Sequence, residues 1–148
     1  MPNSESIHSS ALVIDSHNDT IVAHIRRKNR SISDSQNSQR HKGIVTHLRG
    51  ASNDTNVQIN FPKMRTGGID AAFFAVDVTR ALKNHLTYAL DAFGYFNMEI
   101  ADEDRAVIAR TASDIEKAKS EGKLAAILVI ENSDGTEGSL NVLHMLYQ

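Results

Sequence analysis

The chain has 148 residues, of which 41% are hydrophobic, and a formal net charge of −2. This is the length and composition of one domain with a real core, and the slight negative charge excludes a nucleic-acid binder that neutralises many phosphates. Because cysteine is absent, disulfides and thiolate metal sites are excluded, and any metal must bind histidine, aspartate or glutamate.

The first ten residues, MPNSESIHSS, contain neither the cationic start nor the apolar core of a secretory signal. No stretch of the sequence approaches the roughly 18 consecutive apolar residues that a membrane-spanning helix needs. We therefore predict a cytoplasmic chain without a membrane span.

Three short apolar runs predict strands that are buried on both faces, because their apolar residues are continuous rather than alternating. A polar region over 28–56 separates the first two runs, and a loop of that length serves an active site or is disordered. The basic cluster RRKNR (26–30), which overlaps the start of this region, is interpreted as a solvated face. The three runs are ALVID (11–15), IDAAFFAVDV (69–78) and KLAAILVIE (123–131).

Helical patterns lie between and after these runs. Apolar residues recur every three or four positions over 82–107 and again over 139–148. A shorter helix is expected where Ser113 and Glu116 could form a capping box and Gly122 could end the helix. The alternation of strand and helix predicts an α/β fold with about three parallel βα units.

The length of the chain limits how these units can be arranged. Three parallel strands do not close a barrel, because eight βα units typically need about 250 residues. The alternatives are a small open sheet and part of a barrel. Since the last predicted helix has no stop signal, we expect a partial domain over 1–148 that is truncated at its C-terminal end.

His17 and Asp19 follow the first apolar run, one residue apart, in ALVIDSHNDT. Alternate residues of a strand point the same way, and α/β folds place their sites at the carboxyl ends of strands. Both side chains could therefore reach one metal ion. In the alternative interpretation, residues 18–20 are a turn that caps the next segment.

Glu131 ends the third apolar run, where burial of an unpaired carboxylate would be costly. A metal ion or a neighbouring cation would compensate its charge, and a carboxylate between two ions can bridge them. Asp77 ends the second run and is expected to hydrogen-bond at the same rim. The other histidines that we weighed fit helix or loop positions exposed to solvent: His24, His41, His47, His85 and His144.

Four blocks of the sequence resemble the membrane (renal) dipeptidase family of zinc peptidases, family M19. They are VIDSHND, INFPKMRTGGIDAAFFAVDV, DIEKAKSEGKLAAILVIEN and LNVLHMLY. The likeness covers nearly the whole chain, with 26–56 the least typical part, and corresponds to the N-terminal portion of the family. It implies the N-terminal part of a (β/α)8 TIM-type barrel of the amidohydrolase superfamily, with a site for two Zn²⁺ ions.

The resemblance also implies roles for individual residues. His17 and Asp19 would bind one Zn²⁺, while Glu131 would be catalytic, bridging both ions and holding the hydroxide that cleaves a dipeptide. Residues that contact the substrate are expected beyond residue 148. The family usually has glycines after the bridging glutamate, whereas this chain has Asn132 and Ser133, which we expect to reshape the loop.

Two other functions stay open at this point. The chain could be a non-catalytic truncated fragment, or a module that associates with another chain to cover its sheet edges. Alternatively, it could belong to another amidohydrolase that acts on a cyclic amide or ester, which would share His-x-Asp but not the other blocks. The sequence also leaves a homo-oligomer open.

Overall fold

The computed structural model describes residues 3–26, 32–33, 58–81, 83–101 and 103–147. Short 3₁₀ turns follow two of the strands, over Val78–Arg80 and Ser133–Thr136. The strands are β1 (Ile14–Asn18), β2 (Ala71–Asp77), β3 (Ala106–Ile108) and β4 (Leu124–Glu131). The helices are α1 (Ser4–Ser10), α2 (Thr20–Arg26), α3 (Phe61–Thr66), α4 (His85–Ala101), α5 (Ala112–Ser120) and α6 (Leu140–Tyr147).

The strands of the described residues form a four-stranded sheet in the order β1-β2-β4-β3, and every pairing is parallel. β2 and β4 pair along their whole length, from Ala71 opposite Ala125 to Asp77 opposite Glu131. β3 pairs with the start of β4. The long strands therefore all present their carboxyl ends at one edge of the sheet, as the alternating pattern predicts.

β2 and the start of β4 are buried on both faces, as their continuous apolar runs predict. The same prediction for the first run is wrong: β1 is mostly exposed, with Ile14 43% exposed, because β1 lies at an edge of the described sheet. On one face, the fully buried rings of Phe61, Phe74 and Phe96 pack together, with centroids of Phe74 and Phe96 4.7 Å apart. On the other face, small side chains allow α5 to pack closely on the sheet. These are Ala71, Ala109, Ala118 and Ala125.

A hydrogen-bond cluster at the opposite edge fixes the entry into β1. The Asp70 carboxylate accepts the Val13 backbone N–H at 2.8 Å and the Lys119 ammonium at 2.7 Å. Lys119 also donates to the Ala11 carbonyl oxygen at 2.8 Å. The cluster ties β1 to both β2 and α5, and so fixes the start of the strand whose far end carries His17.

The structure corrects two predicted boundaries near β3. The predicted helix over 82–107 ends at Ala101, and Val107 lies in β3. The reason is a local turn, in which the Glu103 carboxylate accepts the Arg105 backbone N–H and pairs with its guanidinium. This pairing lowers the pKa of Glu103.

The predicted cap of α5 is also wrong. The capping box is formed by Thr111 and Asp114 rather than by Ser113 and Glu116, and Ser113 lies inside the helix. Thr111 has the extended backbone that an N-cap requires. Asp114 accepts the backbone N–H groups of Arg110 and Thr111, and the bond from Arg110 above all lowers its pKa.

Some predictions fall outside the described residues: the basic cluster over 27–30, His41 and His47. Within 28–56 the structure describes Ile32 and Ser33. Ile32 is buried, and its backbone N–H donates to the buried carboxylate of Glu99 at 3.1 Å. None of the helices in the described ranges has the length and hydropathy required to cross a bilayer.

Candidate metal centre

Three side chains that the sequence singles out meet at the carboxyl edge of the sheet. His17 lies near the end of β1, Asp19 follows that strand, and Glu131 ends β4. The His17 Nε2 atom lies 3.9 Å from Asp19 Oδ1 and 3.4 Å from Glu131 Oε2. One donor atom from each residue lies within 4.8 Å of the other two.

A bulge in β1 lies directly beside this cluster. Asp15 pairs with Ala72 and Asn18 pairs with Phe74, so β1 advances by three residues while β2 advances by two. The extra residue bends the strand locally and changes the direction in which its side chains point. The spacing of His17 and Asp19 is therefore set by an irregular strand end and not by simple alternation along a regular strand.

The segment between the two residues is also a turn. The Asn18 Oδ1 atom accepts the Thr20 backbone N–H at 3.2 Å, and α2 begins at Thr20. The Asn18 amide donates to Asp15 at 2.9 Å, and Asp15 accepts the His17 backbone N–H at 3.2 Å. The turn interpretation and the paired side chains are thus compatible.

The donor set fits a divalent metal ion. Bonds of about 2.0 Å at tetrahedral angles place two ligand atoms roughly 3.3 Å apart, close to the distance between His17 and Glu131. The side chains of His17, Asp19 and Glu131 are 51%, 53% and 46% exposed. Because an imidazole and two carboxylates converge within reach of solvent, an ion could bind without prior opening of the fold.

Asp77 lies at the same rim and has a different role. It pairs in register with Glu131, but its carboxylate accepts the Thr79 backbone N–H at 3.0 Å and the Thr79 hydroxyl at 2.6 Å. These bonds cap the 3₁₀ turn after β2. The predicted hydrogen bonding of Asp77 at the rim is confirmed.

The remaining described histidines differ in their surroundings. His24 was expected in solvent, and this is wrong: it is buried, with Nε2 3.1 Å from the Ile59 carbonyl oxygen. It lies on α2 facing the core because α2 packs against β2. His85 is partly buried and lies 3.9 Å from Asp134, whereas His144 is exposed on α6, as predicted.

A cavity of about 210 Å³ adjoins the cluster on the side of Asp19. It lies between α2 and the residues that precede α3. The sequence carries no signal for it, because its walls come from segments far apart in the chain. The lining includes Asp19, Thr20, Ala23, His24, Gln58 and Ile59.

Asn132, directly after Glu131, has a backbone conformation that favours glycine. Its φ is +83° and its ψ is 135°, a region that residues with a Cβ seldom adopt. Its side chain accepts the Asp134 backbone N–H at 3.2 Å, which offsets part of the strain. The chain thus has a capping asparagine where the family resemblance predicts glycine.

We expect Asn132→Gly to leave the free energy of unfolding within about 1 kcal/mol of the wild type, because relief of strain offsets the lost cap. Asn132→Ala keeps the strain and loses the cap, so it should destabilise the chain by about 1–2 kcal/mol. Urea unfolding of the two variants measures the difference. Equal midpoints would contradict the assigned backbone strain.

The sequence matches the family model described as membrane dipeptidase (peptidase family M19) over residues 1–148. The search of curated proteins gave no match. The family match thus covers every element of the sheet and all three residues of the cluster.

Solved structures of three proteins are similar to the chain in fold. Dipeptidase AC, a metallopeptidase of family M19, is 22% identical with a TM-score of 0.65, over 91% of this chain and 39% of its own. A metallopeptidase from Rhodobacter sphaeroides, bound to a phosphinate mimic of the dipeptide L-Ala-D-Ala, is 19% identical with a TM-score of 0.67. The match covers 91% of this chain and 42% of that protein. An amidohydrolase from Pseudomonas aeruginosa is 20% identical with a TM-score of 0.60. The match covers 97% of this chain and 33% of that protein.

These likenesses confirm the predicted fold class, an α/β fold that corresponds to part of a TIM-type barrel. The chain spans less than half the length of each of the three similar proteins. The prediction of about three βα units missed β3, which is a short strand beside β4.

Proposed function

The chain belongs to the membrane dipeptidase family, peptidase family M19, and from this we propose that it is the N-terminal part of a metal-dependent dipeptidase barrel. We assign His17, Asp19 and Glu131 as its metal ligands. The observation that carries this proposal is their convergence, with donor atoms within 4.8 Å, from the ends of β1 and β4, the two strands that flank β2.

The donor types support Zn²⁺ as the metal. Mg²⁺ and Ca²⁺ prefer oxygen ligands, whereas a histidine nitrogen beside carboxylate oxygens suits Zn²⁺. Glu131 has a second carboxylate oxygen and is about half exposed, which supports a bridging position between two ions. We therefore propose a site for two Zn²⁺ ions, both of which Glu131 would bind.

When bound, such ions supply Lewis acidity that activates water and polarises a peptide carbonyl. His17 and Asp19 would hold one of the ions at the carboxyl edge of the sheet. Glu131 accepts a hydrogen bond from the attacking water and orients it toward the carbonyl carbon. Dipeptides are the proposed substrates, and the dipeptide mimic bound to the Rhodobacter enzyme supports this class.

Removal of the metal tests the proposal. We expect the full chain to bind Zn²⁺ in calorimetric titration, and any hydrolysis of L-Ala-D-Ala to cease after chelation. His17→Ala should weaken Zn²⁺ binding by more than about 100-fold, since loss of an outer-shell partner already costs 10–100-fold. His144→Ala is the matched control, because it removes an exposed histidine from α6. Unchanged Zn²⁺ binding by His17→Ala would contradict the assignment of the ligands.

The exposed apolar side chains of α6 favour a second candidate, a non-catalytic association module. Leu140 and Tyr147 are 81% and 87% exposed, and large exposed apolar surfaces mark sites of protein contact. Sedimentation measurements distinguish the two proposals. A monomer that hydrolyses dipeptides would contradict the module, whereas an associated chain that binds Zn²⁺ without hydrolysis would support it.

A further inference from the structure

Asn18 lies between the proposed ligands His17 and Asp19, and its surroundings differ from theirs. Its exposed fraction is 8%, while the side chains of His17 and Asp19 are about half exposed. A carboxamide that is buried in a turn must find partners, because burial of an unpaired amide is costly. The contacts of Asn18 therefore show what the residue does for the site.

The two ends of the Asn18 side chain bond to opposite sides of the bulge. Its Nδ2 donates to Asp15 Oδ2 at 2.9 Å, and Asp15 Oδ1 accepts the His17 backbone N–H at 3.2 Å. Its Oδ1 accepts the Thr20 backbone N–H at 3.2 Å. The hydrogen bonds of the Asn18 side chain thus fix the backbone before His17 and the backbone after Asp19.

From this geometry we propose that Asn18 is a positioning residue that sets the affinity of the site for Zn²⁺, acting through the backbone of His17 and Asp19. This inference rests on the proposed function and deepens it. The donor atoms of His17 and Asp19 lie 3.9 Å apart in solvent, so their separation depends on the backbone that carries them. A ligand pair that is already ordered loses less conformational entropy when the ion binds.

A neutral side chain is suited to this position. Asn18 contacts the Asp15 carboxylate at 2.9 Å, where a second carboxylate would repel it. The carboxamide supplies both a donor toward Asp15 and an acceptor for Thr20. Serine could still accept the Thr20 N–H, but its hydroxyl is too short to keep the bond to Asp15.

The test measures the Zn²⁺ affinity of the full chain by calorimetry and the stability of the metal-free chain by urea unfolding. We expect Asn18→Ala and Asn18→Ser to raise the Kd for Zn²⁺ by 10–100-fold, the usual effect of losing a residue that orients a ligand. Either variant serves if the other does not fold. The visible spectrum of bound Co²⁺ should also change, because it reports the arrangement of the ligands.

Asn60→Ala is the matched control. Asn60 is also 8% exposed, and its Oδ1 accepts the Lys63 backbone N–H at 2.9 Å as the cap of α3. We expect this variant to lose metal-free stability while its Kd and Co²⁺ spectrum stay those of the wild type. If Asn60→Ala weakened Zn²⁺ binding as much as Asn18→Ala, the effect would be general destabilisation and the inference would be wrong.

The outcomes separate this inference from the proposed function. The positioning role would be overturned if the Asn18 variants had the wild-type Kd and Co²⁺ spectrum while binding still depended on His17. The dipeptidase proposal would then remain intact. Absence of Zn²⁺ binding by the wild-type chain would overturn both.

Discussion

Glu131→Gln is expected to abolish any dipeptide hydrolysis by the chain and to weaken the proposed Zn²⁺ binding by more than about 100-fold. The substitution keeps the size of the side chain and removes the negative charge that faces His17 at 3.4 Å. An amide oxygen is a poorer ligand than a carboxylate and cannot bridge two ions as a charged group. Calorimetric titration with Zn²⁺ and an L-Ala-D-Ala hydrolysis assay measure the two effects.

Glu116→Gln is the matched control, because it removes the same charge from an exposed position on α5. We expect it to leave Zn²⁺ affinity unchanged. The metal-free Glu131→Gln chain should unfold at the wild-type urea concentration, since the Glu131 side chain is nearly half exposed. Tight Zn²⁺ binding by Glu131→Gln would exclude Glu131 as a ligand.

Phe74→Ala is expected to lower the free energy of unfolding by about 3–5 kcal/mol, the usual cost of removing a buried aromatic ring. Phe74 is fully buried in β2, with its ring centroid 6.3 Å from that of Phe61 and 4.7 Å from that of Phe96. Removal of the ring would leave a cavity where Phe61 of α3 and Phe96 of α4 pack against the sheet. Urea unfolding monitored by circular dichroism measures the loss.

Phe93→Ala provides the comparison for this prediction. Phe93 lies on α4 and is partly buried, packed against the same cluster. Phe93→Ala should lower the free energy of unfolding clearly less than Phe74→Ala, because the Phe93 side chain buries less apolar surface when the chain folds. Similar losses in both variants would mean that the core is not centred on Phe74.

The long strands and the edge that carries the site could be predicted from the sequence, because they follow from strong local signals. The apolar runs around Phe74 and Ile127 are continuous, which is typical of strands buried on both faces. His17, Asp19 and Glu131 each stand where a run becomes polar. The rule that parallel strands end at one edge then brings them together.

Other features depend on partners that the local sequence does not reveal. The bulge beside Asn18 depends on how β1 pairs with β2. β3 has three residues, and its pairing with β4 defines it as a strand. The burial of His24 depends on how α2 packs against β2. In each case tertiary contacts override a weak local preference.

The order of the strands has a consequence for folding kinetics. β2 pairs with β1, which precedes it by a long interval, and with β4, which follows it after β3. Such non-local pairings raise the contact order and slow folding, because loop closure must precede the contacts that stabilise it. His17 and Glu131 belong to the two strands that flank β2, so the cluster assembles only when both strands have docked on β2. For a cluster that binds Zn²⁺ as proposed, uptake of the ion during refolding would report the docking of both strands on β2 rather than the nucleation of the sheet.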